Sequence, residues 1–322
     1  PMDKEIKLYT GTGNPELSQR IADILHLELQ GLTTEKFANG ETYARFTESV
    51  RGDDVFFIQT MAGENVNDLI METLIVADAA KRASCRRFTA VIPHYGYARQ
   101  DRKAAPREPI TARLVANLIE AAGIDQVITV DLHQGQIQGF FNIPVTHLTG
   151  LYLLGDYFKQ KDFDWSQTVV VSPDMGRAKA AKKLSDYLGC EVAIAHKSRP
   201  KHNQAEVMGI IGDIKGKTCI INDDMIDTAG TLCGSVKKLK EMGAGDIYVC
   251  ATHGIFTDPA IQRLEEAPIV ECVVTDVIPC EAANKPGSKI KTISIANELA
   301  EAIYSVYTNK PVSTIFGGNL NL

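Results

Sequence analysis

Short apolar runs rich in Val, Ile and Phe alternate along this chain with longer stretches whose apolar residues recur every three or four positions. Runs such as Val55–Gln59, Phe88–Ile92 and Gln126–Val130 are bounded by polar or small residues. They read as strands buried on both faces, the signature of a parallel sheet. Between them lie helical stretches, Glu16–His26, Asn67–Ala83 and Ile110–Ala122, with strand Ile6–Tyr9 at the start. The same alternation restarts with strand Val169–Val171, helix Arg177–Leu188 and strand Glu191–Ala195. It continues with strand Cys219–Asn222, helix Leu232–Met242 and strand Asp246–Ala251. Strand–helix alternation of this kind predicts an α/β architecture with mainly parallel sheets.

The two halves read as degenerate copies of one unit. Val55–Ile92 and Cys219–Ala251 share the order strand, loop, long helix, strand. This predicts an N-terminal domain over 1–150 and a C-terminal domain over 151–322, with a boundary around Thr149–Trp165. The polar stretch Lys197–Gly212 reads as a long mobile loop, and long loops within compact domains are often lids.

Composition narrows the class. The chain has 322 residues, enough for about two domains, and 44% of them are apolar, enough for sizeable cores. A formal charge of −6 argues against a nucleic-acid partner. Seven cysteines without a CxxC pair read as reduced thiols of a cytoplasmic protein. The segment starts with the polar run PMDKEIKLYT, no secretory leader is visible, and no apolar run approaches the ~20 residues of a membrane span.

The densest chemistry lies at Thr218–Leu232, TCIINDDMIDTAGTL. An apolar strand leads into Asp223 and Asp224, then into the turn Asp227-Thr228-Ala229-Gly230-Thr231 and a helix closed by Gly243. Asp, Thr and Gly in such a place also serve as ordinary turn and capping residues. Backbone N–H groups and hydroxyls at a helix start suit a phosphate, whereas adjacent carboxylates suit hydroxyls. A sugar phosphate satisfies both demands. The stretch resembles the phosphoribosyl-pyrophosphate loop of type I phosphoribosyltransferase folds.

Other segments carry weaker signals. Phe37-Ala38-Asn39-Gly40-Glu41 contains an Asn-Gly turn. His94–Lys103, HYGYARQDRK, joins aromatics, cations and an amide at a strand's C-terminal end, where open α/β sheets bind ligands. Asp131-Leu132-His133 and Ser172-Pro173-Asp174-Met175-Gly176-Arg177 also follow strands, the latter fitting either a metal and pyrophosphate or a helix cap. Lys197 and Arg199 sit at the front of the long loop.

Taken in order, FANGE, HYGYARQDRK, DLHQGQIQGFF, SPDMG and NDDMIDTAGT closely resemble the ribose-phosphate pyrophosphokinase family over nearly the whole chain. The resemblance implies two tandem type I phosphoribosyltransferase-like domains, with the last residues able to return to the N-terminal one. It implies transfer of pyrophosphate from ATP to ribose 5-phosphate. Phe37, Asn39, Gly40, Glu41, Arg99, Gln100 and Asp101 match ATP-binding positions, and His133 and Asp174 match magnesium-site positions. Asp223, Asp224, Asp227, Thr228, Ala229, Gly230 and Thr231 match the ribose 5-phosphate site, and Lys197 and Arg199 the catalytic loop. The expected cofactor is Mg²⁺ and the expected assembly a homo-oligomer, a hexamer by resemblance. A regulatory homologue would lose loop residues or carry insertions near the lid, whereas Lys197, Arg199, His133 and Asp174 are all present here, and a phosphoribosyltransferase would need no ATP segments.

Overall fold

The computed structural model describes residues 6–198 and 207–312. They form two compact units, one built from 6–149, 277–279 and 294–312, the other from 150–276 and 280–293.

The first unit opens with β1 (Ile6–Thr10), α1 (Pro15–Leu25) and the hairpin β2 (Leu32–Lys36) and β3 (Thr42–Phe46). There follow β4 (Asp54–Ile58), α2 (Val66–Arg82), β5 (Arg87–Ile92), α3 (Thr111–Ala121), β6 (Gln126–Val130) and β7 (Val145–Leu148). The second unit contains α4 (Leu151–Lys159), β8 (Thr168–Ser172), α5 (Ala178–Leu188), β9 (Glu191–Ser198), β10 (Val207–Ile211) and β11 (Thr218–Ile226). It continues through α6 (Gly230–Glu241), β12 (Ile247–Gly254), α7 (Ala260–Glu266), β13 (Glu271–Thr275) and β14 (Ile290–Ile293). The chain then enters α8 (Ala296–Tyr307), which packs against α1 in the first unit.

Each unit is organised by a parallel sheet. The order is β1-β4-β5-β6-β7 in the first and β10-β9-β8-β11-β12-β13-β14 in the second. All neighbours in these sheets are parallel except β10, which runs antiparallel to β9. Helices cover both faces, so β4, β8 and β12 are buried along their whole lengths. The one acid inside β4, Asp54, is 1% exposed and is paired with Arg86 and Arg87 at the start of β5. A buried carboxylate without such partners would be strongly destabilising.

Local sequence explains the helix ends. The Asn14 side chain accepts from the Leu17 N–H and Pro15 occupies the first turn of α1. Gly189, at φ 73°, closes α5 in the left-handed conformation. Cys219, Cys250 and Cys272 are buried in strands, and all the cysteines are free thiols. Among the described residues, no helix is long and apolar enough to cross a membrane.

Two expectations change. Strand β11 does not stop at Asn222; it carries Asp223 and Asp224 and runs to Ile226, paired with β12 as far as Gly254. The ladder with β12 holds these acids in the strand although their polarity reads as a loop. The polar stretch from 197 to 212 also contains strand at both of its described ends. Lys197 and Ser198 end β9, and Val207–Ile211 pairs back on it as β10. Residues 199–206, with Arg199 among them, lie outside the described residues.

Candidate active site

In the second unit a cleft of about 390 Å³ opens at the C-terminal ends of β8, β9 and β11. Pro173, Asp174, Met175, His196, Lys197, Asp223, Thr231, Leu232 and Ser235 line it. Four residues singled out in the sequence, Asp174, Lys197, Asp223 and Thr231, therefore meet around one space. They come from the loop after β8, from β9, from β11 and from the first turn of α6.

The sugar-phosphate stretch divides into a rigid acidic part and an open turn. Asp224 is 5% exposed, and its N–H donates to Asp223 Oδ1 at 2.8 Å. Burial, followed by the adjacent Asp224, pushes the Asp223 carboxyl up to about 7, partly offset by the Arg177 guanidinium. Arg177 Nε lies 3.9 Å from Asp223 Oδ1, and its Nη2 donates to Asn222 Oδ1 at 3.2 Å.

The turn that follows is fixed from behind. Ala229 adopts φ 64°, and Arg263 on α7 donates to the Thr228 carbonyl at 3.0 Å. A Cβ on Gly230 would lie 3.0 Å from Arg263 Nη1, so glycine lets the turn sit against that guanidinium. Thr228, Gly230 and Thr231 stay exposed. No side chain caps α6, and its first turn contains no acid. Its leading N–H groups, which have no intrahelical acceptor, are available to an anion.

The facing wall comes from β9. His196 lies across Gly209 of β10, where a Cβ would come within 2.4 Å of the imidazole. Lys197 beside it is exposed. Asp174 accepts through Oδ1 from the Arg177 N–H at 3.0 Å, which shapes the turn after β8.

The other predicted residues lie in the first unit. Phe37, Asn39, Gly40 and Glu41 form the exposed tip of the β2–β3 hairpin. Asn39 braces that tip, donating to Glu41 Oε1 at 2.8 Å and accepting from the Glu41 N–H at 3.1 Å. Phe37 is 49% exposed, its ring 5.5 Å from that of Tyr43. Arg99, Gln100 and Asp101 follow β5 on a loop anchored by the buried Tyr95, whose hydroxyl donates to the Ala112 carbonyl at 2.8 Å. Desolvation raises that phenol above its ordinary range. His133 follows β6 on a loop held by the buried His147, whose Nε2 accepts from the Leu132 N–H at 2.9 Å.

Sequence reading passed over His147, His196 and Arg263. A lone histidine or arginine in a strand or helix has no local signal, because its partner is brought near only by the sheet.

The description N-terminal domain of ribose phosphate pyrophosphokinase matches residues 6–123, and the phosphoribosyl synthetase-associated domain matches residues 199–317. The chain is 51% identical over 313 residues to a ribose-phosphate pyrophosphokinase of Clostridium acetobutylicum, covering 97% of this chain and 98% of the relative. It is likewise 51% identical over 311 residues to the enzyme of that name from Caldanaerobacter subterraneus, with 97% and 98% covered. The crystal structure of phosphoribosylpyrophosphate synthetase from Mycobacterium smegmatis superposes with a TM-score of 0.89 at 45% identity, over 95% of this chain and all of that one. Motif order, fold and full-length relatives agree on two tandem type I phosphoribosyltransferase-like domains, and this chain belongs to the ribose-phosphate pyrophosphokinase family.

Proposed function

We propose that this protein transfers the pyrophosphoryl group of ATP to O1 of ribose 5-phosphate, giving 5-phosphoribosyl 1-pyrophosphate and AMP. The observation that carries the reading is the second unit's cleft, where Lys197, Asp174, Asp223 and Thr231 line one space beside an uncapped helix start. The sugar's 5-phosphate would take the N–H groups and hydroxyls of Thr228–Thr231, while Asp223 and Asp224 would orient ring hydroxyls. O1 then attacks the β-phosphorus, the bond from β-phosphorus to the α,β-bridging oxygen breaks, and AMP leaves with that oxygen. Such a transfer asks chiefly for in-line positioning and neutralisation of charge. Lys197, at the cleft wall, supplies a cation, and Arg199 is proposed to act with it.

ATP would be held by Phe37, Asn39, Gly40, Glu41, Arg99, Gln100 and Asp101. Mg²⁺ is the proposed cofactor, with Asp174 and His133 as protein groups toward it. Asp174 offers the carboxylate oxygen that this ion takes. Among the described residues no three His, Cys, Asp or Glu side chains converge on a metal position. Magnesium in nucleotide sites is commonly bound by one or two protein groups plus substrate phosphates and water. When bound, it would neutralise phosphate charge.

We also propose a homo-oligomer, a hexamer by family, working in the cytoplasm. Leu114 and Leu118 are 52% and 40% exposed and, four residues apart, share one face of α3, with Ile110, 39% exposed, at its N-cap. Leu114→Asp is expected to lower the mass measured by light scattering; an unchanged mass would remove this face from the interface. The activity itself is tested by AMP release from ATP and Mg²⁺ with and without ribose 5-phosphate.

A further inference from the structure

The first unit has a cleft of its own, about 230 Å³, lined by Thr34, Glu35, Lys36, Thr42, Asn65, Leu69 and the residues discussed next. Its place in the fold is equivalent to that of the second unit's cleft. In the sheet orders, β1 and β4 stand where β8 and β11 stand, α1 and α2 follow the connections of α5 and α6, and the hairpin β2–β3 replaces β9–β10.

The lining residues correspond as well. Thr12 and Asp174 are each the second residue after the first strand of the pair, β1 or β8. Lys36 is the last residue, and Lys197 the last but one, of the strand that follows α1 or α5. On the helix, Leu69 matches Leu232, and three residues later Glu72 matches Ser235. One residue before the leucine, Asp68 matches Thr231. Both hydroxyl positions of α6 are thus carboxylates in α2.

Those carboxylates are engaged. Glu72 is 6% exposed and accepts from the Thr12 N–H at 3.0 Å, from the Thr12 hydroxyl at 2.9 Å, and from the Gln59 amide. Gln59 Oε1 in turn accepts from the Gly13 N–H at 2.9 Å. Gly11 and Gly13 make this possible: a Cβ on either would lie 2.4 Å and 2.8 Å from Gln59 Oε1. Asp68, in the first turn of α2, pairs with Lys36. A glycine-bearing strand–helix turn, a hydroxyl and a lysine are the groups that hold a phosphate. Here each already holds an oxygen anion of the chain.

We propose that the first unit's cleft is a phosphate site occupied from within, with the Glu72 and Asp68 carboxylates standing where the second unit's cleft receives the anion of its ligand. The inference rests on the reading of the second cleft given above. Its consequence is one sugar-phosphate site per chain despite two equivalent folds, and its ligand class is inorganic phosphate or pyrophosphate once the internal anions are removed. Carboxylates beside the same amides repel an incoming anion, and each bond they hold must be replaced before a ligand gains anything.

The test is hydrogen exchange of full-length protein, with inorganic pyrophosphate as probe, read on the peptides spanning 10–17 and 226–234. In the parent protein, pyrophosphate should slow the second peptide only. In Asp68→Thr/Glu72→Ser, which installs the hydroxyls of the other copy, it should slow both. At pyrophosphate near ten times its dissociation constant the first peptide should slow about tenfold. If the double variant does not fold, Glu72→Gln, which keeps the shape and one acceptor, is read instead. Slowing of the 10–17 peptide in the parent, or none in a folded variant whose 226–234 peptide responds, overturns the inference. No response of 226–234 in either protein overturns instead the reading of the second cleft.

Discussion

The helices α2 and α6 begin at equivalent points of two equivalent sheets, yet their first turns are treated oppositely. α2 carries Asp68 in its first turn and Glu72 one turn on, both bonded to groups of their own unit. α6 starts after the left-handed Ala229 with neither an acid nor a side-chain cap, and its threonines are exposed. A helix start presents N–H groups that something must satisfy. In neither unit does a side chain cap them; in the first, Asp68 and Glu72 of α2 fill the cleft beside them, held by Lys36, Thr12 and Gln59. The second leaves them for a ligand and braces the turn from behind with Arg263. One scaffold thus gives either a structural corner or a binding corner, according to a few residues in the first turn.

The strongest way to break this comparison is to remove the matched lysines. Lys197→Ala should lower turnover by about 10²-fold or more, the usual loss when a group stabilising transition-state charge is deleted. Lys36→Ala, in the internally satisfied cleft, should change turnover less than about tenfold, because an exposed ion pair contributes little. Equal effects in AMP-release kinetics would show that the two clefts are not divided as described.

Thr228→Val sharpens the assignment of the open turn. Deleting a hydroxyl that bonds to a charged phosphate costs about 1.5–3 kcal/mol, so the KM for ribose 5-phosphate should rise about tenfold or more while kcat changes less. An unchanged KM would take Thr228 out of the site. Phe37→Ala concerns the exposed hairpin. Loss of one stacked ring, about 0.5–1.5 kcal/mol, should raise the KM for ATP several-fold and leave the melting temperature unchanged, since Phe37 is 49% exposed.

The smallest expected effect is on stability. Burial and Asp224 hold the Asp223 carboxyl up at about 7 in the folded chain, well above an unfolded aspartate. The folded state therefore binds the proton more tightly, and this contribution is lost as pH rises through about 7. Thermal melts of ligand-free protein should show Asp223→Asn more stable than the parent at pH 8, with the difference shrinking toward pH 5. A difference that grows on acidification would contradict the sign.

The strands were legible because parallel sheets bury both faces and leave unbroken apolar runs, as in DVFFI and TVVVS. The long helices were legible from their periodicity, and α5 ends one residue before the glycine that stops it. The polar end of β11 was not, because pairing with β12 rather than local propensity keeps Asp223 and Asp224 extended. β10 was equally hidden, since a short strand at a sheet's edge takes its identity from β9. In the site, residues with dense local chemistry could be found directly, as at Asp223–Thr231. His196 and Arg263 could not, for their partners lie 13 and 35 residues away along the chain, at Gly209 and Thr228.

The central claim is that the open corner of the second unit receives ribose 5-phosphate as acceptor of pyrophosphate from ATP. Its most direct test is the AMP formed from ATP and Mg²⁺ with and without ribose 5-phosphate, using protein shown to be folded. The account predicts AMP in step with 5-phosphoribosyl 1-pyrophosphate only when ribose 5-phosphate is present. AMP formation indifferent to ribose 5-phosphate, or none at all, would contradict it.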